Sequence, residues 1–94
     1  MSTETSREHF EAGKRFLAEE SLEKALRAFE KAYREDKTNP AYMSYYGLIM
    51  ALRGGKIGLG LELCTRAIKK EFYRAEYYLN LGRSTSRRAT RRGP

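Results

Sequence analysis

The sequence predicts an all-α protein built from antiparallel helical hairpins, and three observations lead to this class. Apolar residues recur three and four positions apart through most of the chain, as on one face of a helix. Short runs of Gly, Pro, Ser and Asn separate these segments and are typical of helix ends. Finally, Gly13, Gly47 and Gly82 lie 34 and 35 positions apart with similar neighbours, and such a period indicates an array of helical hairpins.

The first predicted hairpin follows a polar segment, residues 1–6, which we expect to be disordered. Its first helix spans residues 7–18 and contains Gly13, which costs about 1 kcal/mol relative to alanine inside a helix. A glycine is therefore expected where a neighbouring helix crosses closely. Ser21 is the predicted N-cap of the second helix, residues 22–36. That helix has a clear amphipathic pattern, with an apolar face of Leu22, Ala25, Leu26, Phe29, Ala32 and Tyr33.

The third predicted helix begins with Asn39 and Pro40, residue types that favour the N-cap and the first helical position. It extends to Arg53 and is apolar on almost every side, which indicates burial between neighbours on both sides. Gly54 is the predicted C′ residue that ends it. The loop that follows, up to Gly58, holds one residue more than the corresponding loop of the first hairpin.

Two more helices are predicted downstream. The fourth continues through Cys64 to about Glu71, and the glycines before it leave its start open. The fifth runs from about Tyr73 to at least Gly82. Residues 84–94 form a basic, low-complexity tail without an apolar face, which either stays irregular or extends the fifth helix by a turn or two.

Composition and charge restrict the classes of protein. The chain is 40% hydrophobic and 33% charged, which favours a soluble helical protein. Its net charge of +7 is concentrated in residues 83–94, which hold five arginines and no acid. No apolar run is long enough to span a bilayer or to act as a secretory signal, and one cysteine cannot form an internal disulfide. We therefore expect a cytoplasmic protein without a membrane contact.

The recurring positions resemble the tetratricopeptide repeat (TPR). In residues 7–39, repeat 1, the matching positions are His9, Ala12, Gly13, Phe16, Ala25, Phe29 and Ala32. In residues 40–73, repeat 2, they are Met43, Tyr46, Gly47, Met50, Gly60, Cys64 and Ala67. Residues 74–83 match only in Tyr78, Leu81 and Gly82, as helix A of an incomplete third repeat or as a capping helix. The resemblance implies a short right-handed superhelix of stacked hairpins, an alpha-alpha solenoid.

The same resemblance implies a noncatalytic protein-interaction module whose A helices line a groove for a peptide or helix. Carried over position by position, the groove residues are Phe10, Lys14, Leu17, Ser44, Tyr45, Leu48, Leu52, Leu79 and Asn80. Some members of the family grip an acidic tail with Lys and Asn residues, and this sequence departs from that pattern at Phe10, Lys14, Tyr45 and Glu76. A hydrophobic helix or extended segment is the expected ligand. Alternatively, a neighbouring helix covers these apolar residues.

Two other surfaces are candidates for binding. The fifth helix lacks a following helix, so it either folds back as a cap or pairs with a second copy of the chain through Tyr77, Tyr78 and Leu81. The arginine-rich segment either binds nucleic acid or an acidic partner or is a solvated tail; its candidate residues are Arg83, Arg87, Arg88, Arg91 and Arg92. Residues 83–94 are either a native terminus or part of a truncated third repeat.

The sequence shows no pattern that favours catalysis, so we expect a protein that is not an enzyme, with no metal and no cofactor. His9, the single histidine, occupies a packing position of the repeat. Cys64 takes the position that Phe29 has in the first repeat, and a buried free cysteine behaves as a small hydrophobe. The glycines between Gly54 and Gly60 lack the following Lys and Ser or Thr of a phosphate-binding loop.

Overall fold

A computed structural model describes the backbone of residues 2–92 and the side chains of residues 5–53 and 55–85. Within residues 2–92 the chain forms helices and no strand, so the all-α class is confirmed. In chain order the elements are α1 (Ser2–Ala18), α2 (Leu22–Glu35), α3 (Pro40–Ile49), a π-helical turn (Met50–Gly54), α4 (Ile57–Lys70) and α5 (Ala75–Arg92).

Consecutive helices pack against each other in antiparallel pairs. In the first pair, the Phe16 ring near the end of α1 lies 5.8 Å from Lys24 Nζ near the start of α2. Further back along α1, the ring of Phe10 lies 5.9 Å from that of Phe29. The second pair, α3 and α4, meets at Gly47 and Gly60. Helix α5 then packs against both α3 and α4.

Two of the three recurring glycines lie where helices cross, as predicted. A Cβ atom at Gly13 would lie 2.6 Å from the Phe29 ring, and one at Gly47 would lie 2.6 Å from the carbonyl oxygen of Gly60. A side chain at either position would therefore force the helices apart. Gly82 differs, because a Cβ there would meet nothing within 4 Å. The prediction of a close crossing at Gly82 is wrong, since no helix follows α5 within the described residues.

The extra residue of the second hairpin is accommodated in the π-helical turn. Leu22 follows Gly13 by nine positions, whereas Ile57 follows Gly47 by ten. A π-helical turn is wider than an α-helical one by one residue, so it absorbs an insertion without losing the helix. After this turn, Gly55 adopts the left-handed conformation, with φ of 75°, and not the predicted Gly54.

The core consists of two clusters on either side of α3. Near α1 and α2, the rings of Phe10 and Tyr42 lie 4.9 Å apart, and the ring of Phe29 lies 5.5 Å from that of Tyr45. Aromatic rings at such distances add to the free energy gained by burial alone. On the other side of α3, the second cluster is formed by Met43, Ala67 and Tyr77. The predicted central position of α3 is confirmed.

Helix ends differ from the prediction at several points. The predicted cap at Asn39 is confirmed, since its Oδ1 accepts from Ala41 N–H at 2.8 Å, whereas Ser21 makes no side-chain cap bond. Helix α1 begins at Ser2, so residues 2–6 are not the expected disordered segment. Ser6 is buried, and its hydroxyl lies 3.3 Å from the Tyr42 hydroxyl. Helix α5 likewise continues to Arg92, beyond the predicted start of the tail. Met1 and residues 93–94 lie outside the described residues.

The α3–α4 crossing gives a direct test. Gly47→Ala is expected to lower the free energy of unfolding by about 2 kcal/mol or more, because the new methyl group would lie against the backbone of α4. Gly82→Ala is the matched control and should raise it by up to about 1 kcal/mol, since alanine favours helix and the site is open. Urea unfolding monitored by circular dichroism measures the free energy of unfolding of both variants. Equal changes in the two variants would contradict a close crossing at Gly47.

Candidate peptide-binding groove

An open groove lies between α1, α3 and α5. Its volume is about 620 Å³, and it is lined by Lys14, Leu17, Ala18, Glu20, Tyr45, Glu76, Leu79, Asn80 and Arg83. Helix α1 and the turn after it form one wall and α5 forms the other. Tyr45 of α3 lies between them. The apolar part of the lining comes chiefly from Leu17, Tyr45 and Leu79, and Leu79 is 67% exposed.

Each wall of the groove carries one cation and one anion. Lys14 of α1 is held by its neighbours: its Nζ lies 5.1 Å from the centre of the Phe10 ring, 6.0 Å from that of Tyr45 and 4.0 Å from Glu11 Oε1. On the opposite wall, Glu76 lies close to the Tyr45 hydroxyl. Glu20 and Arg83 lie further along the same two walls. The groove is therefore apolar in the middle and mixed in charge.

Tyr45 remains a neutral hydrogen-bond donor at physiological pH. Burial raises the pKa of its hydroxyl above the ordinary value, and the nearby Glu76 carboxylate raises it further. Asn80 and Arg83 act in the opposite direction and have smaller effects. The phenol and the Glu76 carboxylate therefore place polar groups beside the apolar middle of the groove.

The structure divides the predicted groove residues into two groups. Those that line the groove are Lys14, Leu17, Tyr45, Leu79 and Asn80. Phe10, Ser44 and Leu48 are buried and are not among the lining residues, so the structure does not expose them in the groove as predicted. Leu52 belongs to the π-helical turn and lies outside the lining. Glu20 also lines the groove, but it was not predicted. It lies in the turn after α1, at φ of 62°, and positions in a repeat predict only residues on helices.

A buried polar network joins the α5 wall to the rest of the molecule. Asn80 Nδ2 donates to Ser44 Oγ at 2.9 Å, and Ser84 Oγ donates to the Asn80 carbonyl oxygen at 3.0 Å. The Cys64 thiol donates to the Ser44 carbonyl oxygen at 3.5 Å and lies 3.9 Å from Ser84 Oγ. Because an unpaired buried polar group is costly, these bonds favour one register of α5 against α3 and α4. They thereby fix the position of the second wall.

The two side chains most relevant to catalysis are Cys64 and His9. Cys64 is fully buried, and burial raises the pKa of its thiol to about 11, so it packs as the small hydrophobe that was predicted. His9 is half-buried on α1. In the part of the chain with described side chains, no three His, Cys, Asp or Glu residues are grouped so that they could hold a metal ion.

Tyr77 does not have the role predicted for it. It is 2% exposed, it packs against Met43 and Ala67 of its own chain, and its hydroxyl donates to Glu71 Oε1 at 3.0 Å. Tyr77 is therefore not exposed for the predicted self-association. That surface retains Tyr78, which is 47% exposed, and the half-buried Leu81. Folding back of α5, one of the two predicted arrangements, accounts for the burial of Tyr77.

The arginine-rich segment is only partly described. Arg83 is exposed and lines the groove. The side chains of Arg87, Arg88, Arg91 and Arg92 lie outside the described part of the structure, so the polyanion site stays a prediction. Among the helices of residues 2–92, none combines the length and the apolar character needed to cross a bilayer.

Comparison with known proteins gives no family: no family model, no curated protein and no solved structure matches the chain. The TPR resemblance therefore stays a prediction. Function is therefore inferred from the geometry of the groove.

The buried thiol of Cys64 gives a pH-dependent prediction. The unfolded chain ionises near the ordinary thiol pKa of about 8.5, whereas the folded thiol stays protonated up to about 11. The contribution of Cys64 to stability is therefore fully present below about pH 8.5 and is lost as the pH rises toward 11, by up to about 1.4 kcal/mol per pH unit. Urea unfolding from pH 8 to 10.5 should show a steeper loss for the native sequence than for Cys64→Ala. If stability fell equally with pH in the native sequence and in Cys64→Ala, the Cys64 thiol would not be buried as described.

Proposed function

We propose that the chain is a noncatalytic protein-interaction module that binds a peptide or helix in the groove between α1, α3 and α5. One observation carries the proposal: Leu79, an apolar side chain that is 67% exposed, lies with Leu17 and Tyr45 in a groove of about 620 Å³. Exposed leucines add nothing to the core, and burial by a ligand recovers about 1.5–3 kcal/mol for each such side chain.

The charges of the groove support a segment of polypeptide as the ligand. Lys14 and Glu76 flank Tyr45 from opposite walls, and Glu20 and Arg83 lie beyond them. A peptide with an apolar side chain in the middle and charged groups on either side would match this lining. Its apolar side chain would contact the middle of the groove, and its charged groups would pair with the charged residues of the walls. Since the Asn80–Ser44 bond holds the α5 wall in place, the ligand would not have to order the groove as it binds.

The contacts of the two hairpins support an assignment to the TPR type of fold. In the first hairpin, Gly13 lies against Phe29, and in the second, Gly47 lies against Cys64, with its Cβ position 3.1 Å from Sγ. Ala25 and Ala32 are fully buried in α2, as are their counterparts Gly60 and Ala67 in α4. The same register of small and large residues thus recurs at both helix contacts. We propose that the hairpins stack as a short solenoid.

The groove can be tested with a ligand selected for it. Peptides selected by phage display on the full chain should bind in the micromolar range, and Leu79→Asp should weaken them by about tenfold or more, because a charge replaces the apolar contact. Lys14→Ala should weaken them less. Fluorescence anisotropy with a labelled selected peptide measures each affinity.

Leu59→Asp is the matched control. Leu59 is an exposed leucine on α4 outside the groove lining, so this variant should bind the selected peptide as the native sequence does. Equal losses in Leu59→Asp and Leu79→Asp, or selected peptides that are insensitive to Leu79→Asp, would overturn the proposal. Circular dichroism of each variant establishes that the fold is unchanged.

A further inference from the structure

The turn between α4 and α5 exposes two adjacent aromatic side chains. Phe72 is 72% exposed and Tyr73 is 67% exposed, and Phe72 is the most exposed large hydrophobic side chain among the described residues. Both lie outside the groove lining. Adjacent exposed apolar side chains rimmed by polar residues often mark an interaction site.

Hydrogen bonds hold this turn in one conformation. The Glu71 N–H donates to the Ala67 carbonyl oxygen at 3.0 Å, and the Arg74 N–H donates to the Glu71 carbonyl oxygen at 3.3 Å. The Glu71 carboxylate also accepts from the Tyr77 hydroxyl at 3.0 Å and pairs with Arg74 Nε at 3.3 Å. The rings of Phe72 and Tyr73 meet edge to face at 5.9 Å. Both rings are therefore presented outward by a braced backbone.

The corresponding turn between α2 and α3 shows that the fold does not need aromatic residues there. In that turn Thr38 donates both its N–H and its hydroxyl to Asp36 Oδ1, at 3.2 and 2.8 Å. A polar sequence thus makes the same connection with satisfied hydrogen bonds. The exposure of Phe72 and Tyr73 is not explained by the requirements of the turn.

Cationic residues flank the exposed rings along the chain. Lys69 and Lys70 are exposed in the last turn of α4, and Arg74 follows the rings directly. Because Arg74 pairs with Glu71, which also accepts from the Tyr77 hydroxyl, Lys69 and Lys70 supply the net positive charge of residues 69–74. We propose that residues 69–74, the aromatic turn, form a contact for the surface of a bilayer that contains anionic lipid. The rings would enter the interfacial region while the cations remain among the headgroups.

The geometry favours a bilayer over single-stranded nucleic acid. Base stacking needs an open ring face, and one face of the Tyr73 ring is taken by the Arg74 guanidinium, 5.9 Å from the ring centre, which leaves Phe72 as the more open ring. Neither ring lines the groove between α1, α3 and α5, so the two rings lie on exposed surface and not in a cleft that could follow a sugar-phosphate backbone. The planar interface of a bilayer can take up two exposed rings on one turn. A contact at the bilayer surface does not require a helix that spans the membrane. The proposal differs from the sequence-based expectation that the protein makes no membrane contact.

Vesicle sedimentation tests the proposal with the full chain. The protein should sediment with vesicles of mixed phosphatidylcholine and phosphatidylserine, and not with phosphatidylcholine alone. Phe72→Ser with Tyr73→Ser should weaken binding by about tenfold or more. Lys69→Gln with Lys70→Gln should weaken it by about fivefold for each lysine and reduce its dependence on salt.

Two matched controls accompany these variants. Lys24→Gln with Lys56→Gln removes the same charge near the starts of α2 and α4, and Leu59→Ser with Tyr78→Ser removes two exposed hydrophobic side chains outside the turn. Because the chain has no tryptophan, the variant Phe72→Trp also contains a single tryptophan whose fluorescence reports on the environment of the turn. Its emission should shift to shorter wavelength on mixed vesicles, whereas that of Tyr78→Trp should not.

Three outcomes would overturn the proposal. The first is no binding to mixed vesicles. The second is binding that survives loss of the rings but is abolished by glutamine at Arg87, Arg88, Arg91 and Arg92, which would assign it to the C-terminal arginines. The third is binding of a labelled single-stranded oligonucleotide that requires the rings while vesicles do not bind. Circular dichroism of each variant separates these outcomes from loss of folding.

Discussion

The close approach of α3 and α4 at Gly47 and Gly60 is the contact on which the other elements depend. With no side chain at either position, the two backbones come near enough to bring Cys64 and Ala67 against α3. Tyr77 of α5 then packs on the surface that α3 and α4 form together. The second wall of the groove therefore has its position because two glycines let the preceding helices meet.

Helix α5 is held by a mixture of apolar and polar contacts. Tyr77 supplies the apolar part, and the bonds of Asn80, Ser44 and Ser84 supply the polar part. Apolar packing alone tolerates small shifts along a helix, whereas buried hydrogen bonds are satisfied in few registers. No buried side-chain nitrogen or oxygen among the described residues lacks a partner. A wall held in this way keeps its shape when no ligand is bound.

Among the residues whose side chains the structure describes, the exposed large hydrophobic ones all lie in the second half of the molecule. They occur on α4, on the turn after it and on α5, at Leu59, Phe72, Tyr73, Tyr78 and Leu79. In the first half, Phe10, Phe29 and Tyr42 are instead buried together where α1, α2 and α3 meet. The C-terminal half therefore offers two distinct surfaces. One is the groove, which contains Leu79, and the other is the turn that exposes Phe72 and Tyr73.

The sequence by itself determined the helices, their order and which face of each is apolar, because these follow from local spacing and capping. The cap at Asn39, the burial of Ala25 and Ala32, and the crossings at Gly13 and Gly47 could all be predicted in this way. What covers an apolar face was decided only by the tertiary structure. Identical reasoning placed Leu48 and Leu79 in the groove, yet one is fully buried and the other largely exposed. The positions of Tyr77 and Gly82 differ from the prediction for the same reason: periodicity within a helix carries no information about which distant helix packs on it, or whether one does.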